Sequence, residues 1–156
     1  KLTKKKGVSG EFDSVKVASP EKAESINQLI EGTSFVIDTM SVDSGSSTRD
    51  ENLRTTFFKF MKTPYIKGFV DTVKGDSAIV MLSMNGTTKL VPFSLKRKGN
   101  RLEAKGEVDV LHYLMKTSLA ELNKRCENLH KGSDGISKTW SDVSLVIKAK
   151  TISKCK

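Results

Sequence analysis

Four strand-like segments joined by very short turns constrain the fold of this chain more than any other feature. The segments are residues 65–73, 77–85, 87–97 and 101–108. The connections between them are Lys74-Gly75-Asp76, Asn85-Gly86 and Lys98-Gly99-Asn100, and glycine-bearing turns of this length favour β-hairpins. Consecutive hairpins make neighbouring strands antiparallel, and such a meander closes readily into an up-and-down barrel. The sequence therefore predicts a mainly β protein.

Segments before and after this meander supply the other strands. Residues 7–12 alternate small or apolar with polar residues, and the apolar positions then shift to Val15 and Val17, which indicates a bulge. Residues 34–42 form a further strand, and residues 140–147 form the last one, which is expected to close the barrel. A chain of 156 residues with 37% hydrophobic content fits one domain over residues 1–156.

Two short segments have helical signals. The first begins at residues 19–21 and ends at Gly32. The second begins at Thr48, which forms a capping-box pattern with Glu51, and it ends before Pro64 because proline lacks the backbone N–H that a helix needs.

Residues 110–128 predict a long amphipathic helix. Apolar side chains recur there at spacings of three, four or seven, so that they share one face. This helix is expected to pack against the barrel wall and to cover residues 78–84, a strand that is apolar on both faces. The stripe consists of Leu111, Leu114, Met115, Leu119, Leu122, Cys126 and Leu129.

Three stretches, in order along the chain, resemble the YceI-like family. Residues 41–58 with Pro64-Tyr65-Ile66 are similar to its stretch around a short capped helix. Residues 84–91 look like its central hairpin, and residues 107–143 look like its closing helix and last strand. Together these stretches make the resemblance cover most of the chain from Gly7 onward.

The resemblance implies both a fold and a function. Members of the family hold polyisoprenoid or similar amphiphilic lipids, so the expected fold is a lipocalin-like antiparallel up-and-down β-barrel of about eight strands. A long helix and one or two short ones would pack on it. The expected function is non-catalytic carriage of an isoprenoid-like lipid, held without a covalent bond in an apolar cavity. No cofactor is expected.

Alternation along the strands and the fit to the family's hairpin together predict the side chains that face this cavity. Inward side chains of a small barrel either fill the core or line a ligand cavity, so plain core packing is an alternative for each of them. The candidate lipid-binding residues are Phe12, Ile37, Phe57, Phe69, Val80, Leu82, Met84, Val91, Phe93 and Leu95.

Catalytic and metal-binding patterns are weak in this sequence. His112 and His130 lie near opposite ends of the long helix, about 27 Å apart at a helical rise of about 1.5 Å per residue. Cys126 and His130 have a spacing that could hold a metal, but a closed zinc site needs four ligands, and only Cys155 could be a third. Nucleophile-elbow and phosphate-loop spacings do not occur. Neither an enzyme nor a metal site is predicted.

A net charge of +9, from 27 Lys and Arg against 18 acidic residues, points to anionic partners. A basic module for an anionic polymer or a membrane surface is therefore the alternative function. Only 6% of residues are aromatic, and none has the strand pattern that stacks bases, so no specific nucleic acid is expected. Scattered lysines would favour the lipid carrier, whereas one continuous stripe would favour the polyanion binder.

The first residue and the two cysteines bear on whether the protein is exported. The sequence begins with Lys1 rather than Met, which indicates a processed or trimmed form from which any signal peptide is already gone. Because the family it resembles is largely exported, a periplasmic or secreted location and a disulfide between Cys126 and Cys155 are expected. That bridge would close a loop of roughly 30 residues and contribute about 3 to 4 kcal/mol. A second copy of the chain, forming a homodimer, is kept among the candidate partners.

Overall fold

The computed structural model of the protein describes residues 7–152. Its strands are β1 (Glu11–Phe12), β2 (Val15–Ala18), β3 (Ser34–Asp38), β4 (Val42–Asp43), β5 (Tyr65–Lys74), β6 (Ser77–Met84), β7 (Thr87–Lys98), β8 (Arg101–Asp109) and β9 (Asp142–Lys150). Its α-helices are α1 (Ile26–Ile30), α2 (Ser47–Asn52), α3 (Lys116–Arg125) and α4 (Glu127–His130). The four strands of the meander, β5 to β8, begin at the predicted residues and end within one residue of the predicted ends.

Seven of these strands form one antiparallel sheet in the order β2-β3-β5-β6-β7-β8-β9, which curls into a half-barrel. The prediction of a mainly β, antiparallel up-and-down fold is confirmed. The predicted closure is wrong for residues 7–152, because β9 pairs there with β8 alone and β2 with β3 alone. The chain before Val15 leaves the sheet and pairs with β4, so that β2 has only four residues.

The tightest turn of the meander has the backbone that its residues favour. Asn85 and Gly86 join β6 to β7 with φ angles of 51° and 74°. A two-residue hairpin turn of this type needs positive φ at both positions, and Asn followed by Gly tolerates that best. The predicted Asn-Gly hairpin is confirmed.

Two phenylalanines lie across glycines on the neighbouring strand. Phe35 of β3 faces Gly68 of β5, and Phe93 of β7 faces Gly106 of β8. A Cβ on Gly68 would overlap the Phe35 ring, and one on Gly106 would lie 2.9 Å from the ring of Phe93. The absence of a side chain at each glycine therefore lets an aromatic ring lie directly on the backbone of the next strand.

The first two helical predictions need correction. Helix α1 covers only Ile26–Ile30, and the Oγ atom of its N-cap residue Ser25 accepts a bond from Gln28 N. Helix α2 begins at Ser47, so Thr48 lies inside it and makes no capping box. The capping-box pattern failed because the chain before α2 makes other polar contacts, in which Ser44 donates to the Asp50 carboxylate from both its N and its Oγ atoms. After α2 the helix widens into a π-helical turn at Leu53–Phe57 and ends in a 3₁₀ turn at Phe58–Phe60.

The long helix predicted over residues 110–128 is broken. A 3₁₀ turn at Val110–Tyr113 precedes Leu114, which has the left-handed φ of 57°, and α3 begins only afterwards. The apolar stripe is therefore divided. Met115 and Cys126 are buried, Leu119 and Leu122 are half-buried, and Leu111, Leu114 and Leu129 are exposed.

The broken helix does not lie on the outside of β6 as predicted. Met115 and Leu119 pack in the cluster that covers the inward side of the sheet, and α3 contacts the helical residues 53–60. This cover closes part of the concave face. No helix within residues 7–152 is long and apolar enough to cross a membrane.

Candidate functional site

Six of the ten candidate residues lie together on the concave face of the half-barrel, on β6 and β7. They alternate along both strands, and cross-strand pairs such as Val80 with Val91 place them on one face. Their exposed fractions lie between 2% and 7%, and all six belong to one hydrophobic cluster. They are Val80, Leu82, Met84, Val91, Phe93 and Leu95. They face inward as expected, and their contact with a lipid stays a prediction.

Three further candidates are half-buried, and two of them pack at the margin of this cluster. Phe12 and Phe57 are half-buried and pack against it. Both rings contact the ring of Phe58 edge to face, with centroid distances of 5.8 Å for Phe12 and 5.2 Å for Phe57. Ile37 is half-buried on β3 and shares its face of the sheet with Ile66, its cross-strand partner.

Phe69 is the one candidate that the structure places on the opposite face. It is 42% exposed and pairs with Met81, whereas its neighbours Gly68 and Val70 pair with inward residues of β6. Alternation along β5 therefore turns Phe69 outward. The prediction failed because Phe69 and Val70 are consecutive apolar residues, so the sequence does not show which of the two faces inward.

Phe35 of β3, and not Phe69 of β5, places its ring on the concave face. It is half-buried, packs on the cluster and lies across Gly68. The signal in the sequence was Gly68 itself, because an interior strand glycine often marks a place where another group approaches the backbone closely. Buried Ala104 and Val108 of β8 were also missed, and they complete the floor of the concave face.

Apolar side chains remain uncovered where the concave face reaches the two ends of the sheet. Val15 and Val17 on β2 face inward opposite Ile37 and Phe35, yet they are 45% and 63% exposed. At the other end, Val143 of β9 pairs with buried Val108 and is 40% exposed. We name these three valines the open margin. The concave face thus continues from a packed centre to two partly exposed apolar edges.

A network of polar contacts holds the segment that leads into α2. Asp50 is buried, and its Oδ1 atom accepts bonds from Ser44 N at 2.8 Å and from Ser44 Oγ at 2.5 Å. The bond from the Ser44 hydroxyl lowers the pKa of the Asp50 carboxyl below its ordinary 3.8. Arg54 donates to the carbonyl oxygens of Met40 and Val42. These contacts anchor the helical cover to the chain around β4.

A second polar group ties the cover together at the β6–β7 turn. The Oδ1 atom of buried Asn85 accepts from Lys62 N at 2.9 Å, and its Nδ2 atom donates to the carbonyl oxygens of Tyr113 and Leu114. The Tyr113 side chain is 1% exposed, burial raises the pKa of its hydroxyl, and that hydroxyl has no partner among residues 7–152. A buried donor without an acceptor is costly, so the Tyr113 hydroxyl is available to a polar group inside the protein.

Cys126 and His130 make polar contacts with nearby side chains in the described part of the chain. Asn52 Nδ2 donates to the Sγ atom of buried Cys126 at 3.8 Å, and His130 Nδ1 lies 2.9 Å from Thr139 Oγ1. No group of three His, Cys, Asp or Glu side chains within residues 7–152 is placed to hold a metal ion. Cys155 lies outside the described residues, so its disulfide with Cys126 stays a prediction.

Two shallow grooves run along β8 and β9. One has a volume of about 190 Å³ and is lined from Lys105 to Glu107 and from Ser144 to Val146. The other, of about 590 Å³, lies among the lysines near the β7–β8 turn. None of the ten candidate residues lines either groove.

A curled antiparallel meander with helices packed across its apolar concave face defines a half-barrel of the up-and-down class. The family profile of the YceI-like domain matches residues 2–152, and the chain therefore belongs to the YceI-like family. A comparison with the curated proteins finds no match.

Solved structures share this fold at low sequence identity. The YCEI protein of Campylobacter jejuni has a TM-score of 0.69 at 16% identity, over 99% of this chain and 90% of that one. A polyisoprenoid binding domain from Saccharophagus degradans, implicated in plant cell wall breakdown, has a TM-score of 0.59 at 14% identity, over 92% and 85% of the two chains. BcnA of Burkholderia cenocepacia has a TM-score of 0.51 at 17% identity, over 69% and 73%.

Proposed function

We propose that this protein is a non-catalytic carrier that holds an isoprenoid-like lipid, without a covalent bond, along its concave face. The open margin carries the proposal. Val15, Val17 and Val143 are apolar, face the same side as the buried cluster and remain 40% to 63% exposed. Covering apolar surface contributes about 25 cal/mol per Å², so an apolar chain laid across these valines gains free energy from each of them.

Two comparisons support the same reading. The chain belongs to the YceI-like family, and one structural neighbour is a polyisoprenoid binding domain. The packed centre of the concave face limits where such a ligand can lie, since Leu82 and Phe93 are only 2% and 3% exposed. A lipid would therefore enter at the open margin and reach the six central residues as their side chains move apart.

The Tyr113 hydroxyl gives the site its polar contact. It is a buried donor without a partner among the described residues, in a cluster that is otherwise apolar. A lipid with an oxygen-bearing end would satisfy this hydroxyl, which a plain hydrocarbon could not. The proposed ligand is therefore amphiphilic.

Mass spectrometry of an organic extract of the purified protein tests the proposal. The wild type should yield an apolar lipid in near-stoichiometric amount. The double variant Val17→Asp with Val143→Asp should yield much less, because a carboxylate beside an alkyl chain must lose its water. The double variant Met81→Asp with Leu90→Asp is the matched control, since these two residues pair on the outer face and are 38% and 65% exposed.

Equal lipid content in the wild type, the margin variant and the control would refute the site. A wild type that yields no lipid, and takes up none when exposed to polyisoprenoid alcohol in detergent, would refute the function. Tyr113→Phe should retain less polyisoprenoid alcohol than the wild type, whereas Tyr65→Phe, which is 44% exposed, should retain the same amount.

A further inference from the structure

Six cations form a continuous array on the outer face of the last three strands. In one row across the sheet, Lys98, Arg101 and Lys150 are direct partners. In the next row with the same orientation, Lys96 and Lys148 flank Glu103. We name this array the basic face, and it consists of Lys96, Lys98, Arg101, Lys105, Lys148 and Lys150.

Alternation shows that all six point away from the core. The cross-strand row of Leu95, Ala104 and Ile147 belongs to the hydrophobic cluster, so the row of Lys96 and Lys148 on one side of it and the row of Lys105 on the other side face outward. The row of Lys98, Arg101 and Lys150 lies two residues further along each strand from the row of Lys96 and Lys148, so it faces outward as well. All six cations are exposed, and five of them line the shallow groove of about 590 Å³. The lysines 96 and 98 of one segment and 148 and 150 of another thus meet in space, although they are far apart in sequence.

The array extends in two dimensions. Neighbouring strands are about 4.8 Å apart, and residues i and i+2 along a strand are about 6.8 Å apart, so the cations cover an area rather than follow a line. Glu103 is the one carboxylate in its centre, and Lys105 Nζ lies 3.0 Å from Glu103 Oε1. The bond from Lys105 lowers the pKa of the Glu103 carboxyl, with Lys148 and Lys96 adding to the effect. The basic face is therefore strongly positive despite this carboxylate.

Two observations favour a lipid surface over a nucleic acid as the anionic partner. The outward rows of β7, β8 and β9 that hold these cations contain no aromatic residue, so bases would find no aromatic ring to stack on there. An exposed apolar residue, Val146, lies instead in the row of Lys105 and is 53% exposed. Apolar side chains among cations suit the boundary between headgroups and acyl chains.

The position of the basic face also fits lipid exchange. Strand β9 is an end strand of the sheet, and it carries Lys148 and Lys150 on its outer face and Val143 of the open margin on its inner face. We propose that the basic face docks the protein on an anionic membrane surface, with β9 toward the bilayer, so that the open margin meets the lipid. This inference rests on the proposed carrier function.

Co-sedimentation with lipid vesicles tests the docking. The vesicles contain phosphatidylcholine and phosphatidylglycerol in equal parts, or phosphatidylcholine alone, at an ionic strength of about 0.15 M. The wild type should bind the anionic vesicles and not the neutral ones. Each cation near an anionic surface contributes about fivefold to the binding constant, so the triple variant Lys96→Gln, Lys148→Gln and Lys150→Gln should bind about 100-fold more weakly.

A matched control distinguishes the effect of the basic face on vesicle binding from the effect of net charge. The variant Lys59→Gln, Lys116→Gln and Lys124→Gln loses the same net charge from exposed positions outside the basic face. It should bind anionic vesicles about as well as the wild type. Glu103→Gln should bind about fivefold more tightly, because it removes the single negative charge of the face, and loss of folding could not mimic a gain.

Four results would overturn the inference. They are no preference of the wild type for anionic vesicles, an equal loss in the two triple variants, no gain for Glu103→Gln, and tighter binding to a DNA duplex than to anionic vesicles at the same salt. The extraction experiment reports separately on the carrier. If lipid is found in the extract but the protein does not bind vesicles, the docking inference is wrong and the carrier function is kept. If the protein binds vesicles but takes up no lipid, the carrier function is wrong and the membrane contact of the basic face is kept.

Discussion

Gly68→Ala should destabilise the protein because the Phe35 ring occupies the space that a methyl group needs. The added Cβ would lie 2.6 Å from Cε2 of Phe35 and closer still to Cζ and Cε1. The ring must swing away, and displacing a half-buried Phe uncovers about 100 Å², or about 2.5 kcal/mol. Alanine recovers about 0.5 kcal/mol by restricting the unfolded chain. The net loss is about 2 kcal/mol, which lowers Tm by about 4 to 8 °C in a domain of this size.

Urea unfolding followed by circular dichroism gives the free energy of unfolding, and a double-mutant cycle with Phe35→Ala isolates the clash. In the Phe35→Ala background, the cost of Gly68→Ala should fall to about zero, because the obstructing ring is gone. Gly7→Ala is the control, since a Cβ there meets nothing within 4 Å. If Gly68→Ala costs the same with and without the Phe35 ring, the explanation by steric overlap is wrong.

Three further predictions follow from polar groups and thiols. Asn85→Ala should lose about 3 kcal/mol of unfolding free energy, because one buried and two partly buried hydrogen bonds disappear. Asn85→Gly should lose less, since glycine tolerates the positive φ, and urea titrations with an unchanged m-value would measure both. The folded-state pKa of Asp50 is depressed, so its stabilisation is present above about pH 4 and is lost as the pH falls through the lower folded pKa. Asp50→Asn should therefore reduce the loss of unfolding free energy as the pH falls below about 4, and an unchanged loss would contradict this assignment. Alkylation of the denatured, unreduced protein should find Cys126 and Cys155 blocked by their disulfide, and two free thiols would exclude it.

Strong local signals made the meander predictable. The turns at Gly75, Asn85-Gly86 and Gly99 require backbone angles that few other residues adopt, so they fixed the ends of β5 to β8. Alternation between these turns then placed six of the ten candidate residues on the concave face. Each of these signals depends on residues close together in sequence, and tertiary contacts reinforce it.

The helical segments were less predictable because distant contacts decide them. Thr48 and Glu51 form a good local pattern for a helix start, but Ser44 binds Asp50 and moves the start to Ser47. Leu114 continues an apolar stripe in the sequence, yet it takes a left-handed φ and breaks the helix. At this position Asn85 Nδ2 donates to the Leu114 carbonyl oxygen. A periodicity of apolar residues does not report such contacts.

The prediction of which β5 side chains face inward failed for a different reason. Phe69 and its neighbours Gly68 and Val70 are all compatible with either face, and the ladder between β5 and β6 shifts register between Val70 and Thr72. A one-residue change of register exchanges the two faces of a strand. The cross-strand partners of Gly68 show that it lies inside, and they are Phe35, which is 33 residues earlier in the chain, and Leu82 of β6.

The half-barrel is not closed by the strands of residues 7–152, and this has a consequence for self-association. Free strand edges are templates on which a second chain can add, and the edges of this sheet are β2 and β9. Lys16 lies on β2, and Lys148 and Lys150 lie on β9, so two molecules that approach edge to edge bring like charges together. The same repulsion weakens as salt screens it. Crowded, salt-rich storage should therefore be the condition under which this protein first begins to aggregate.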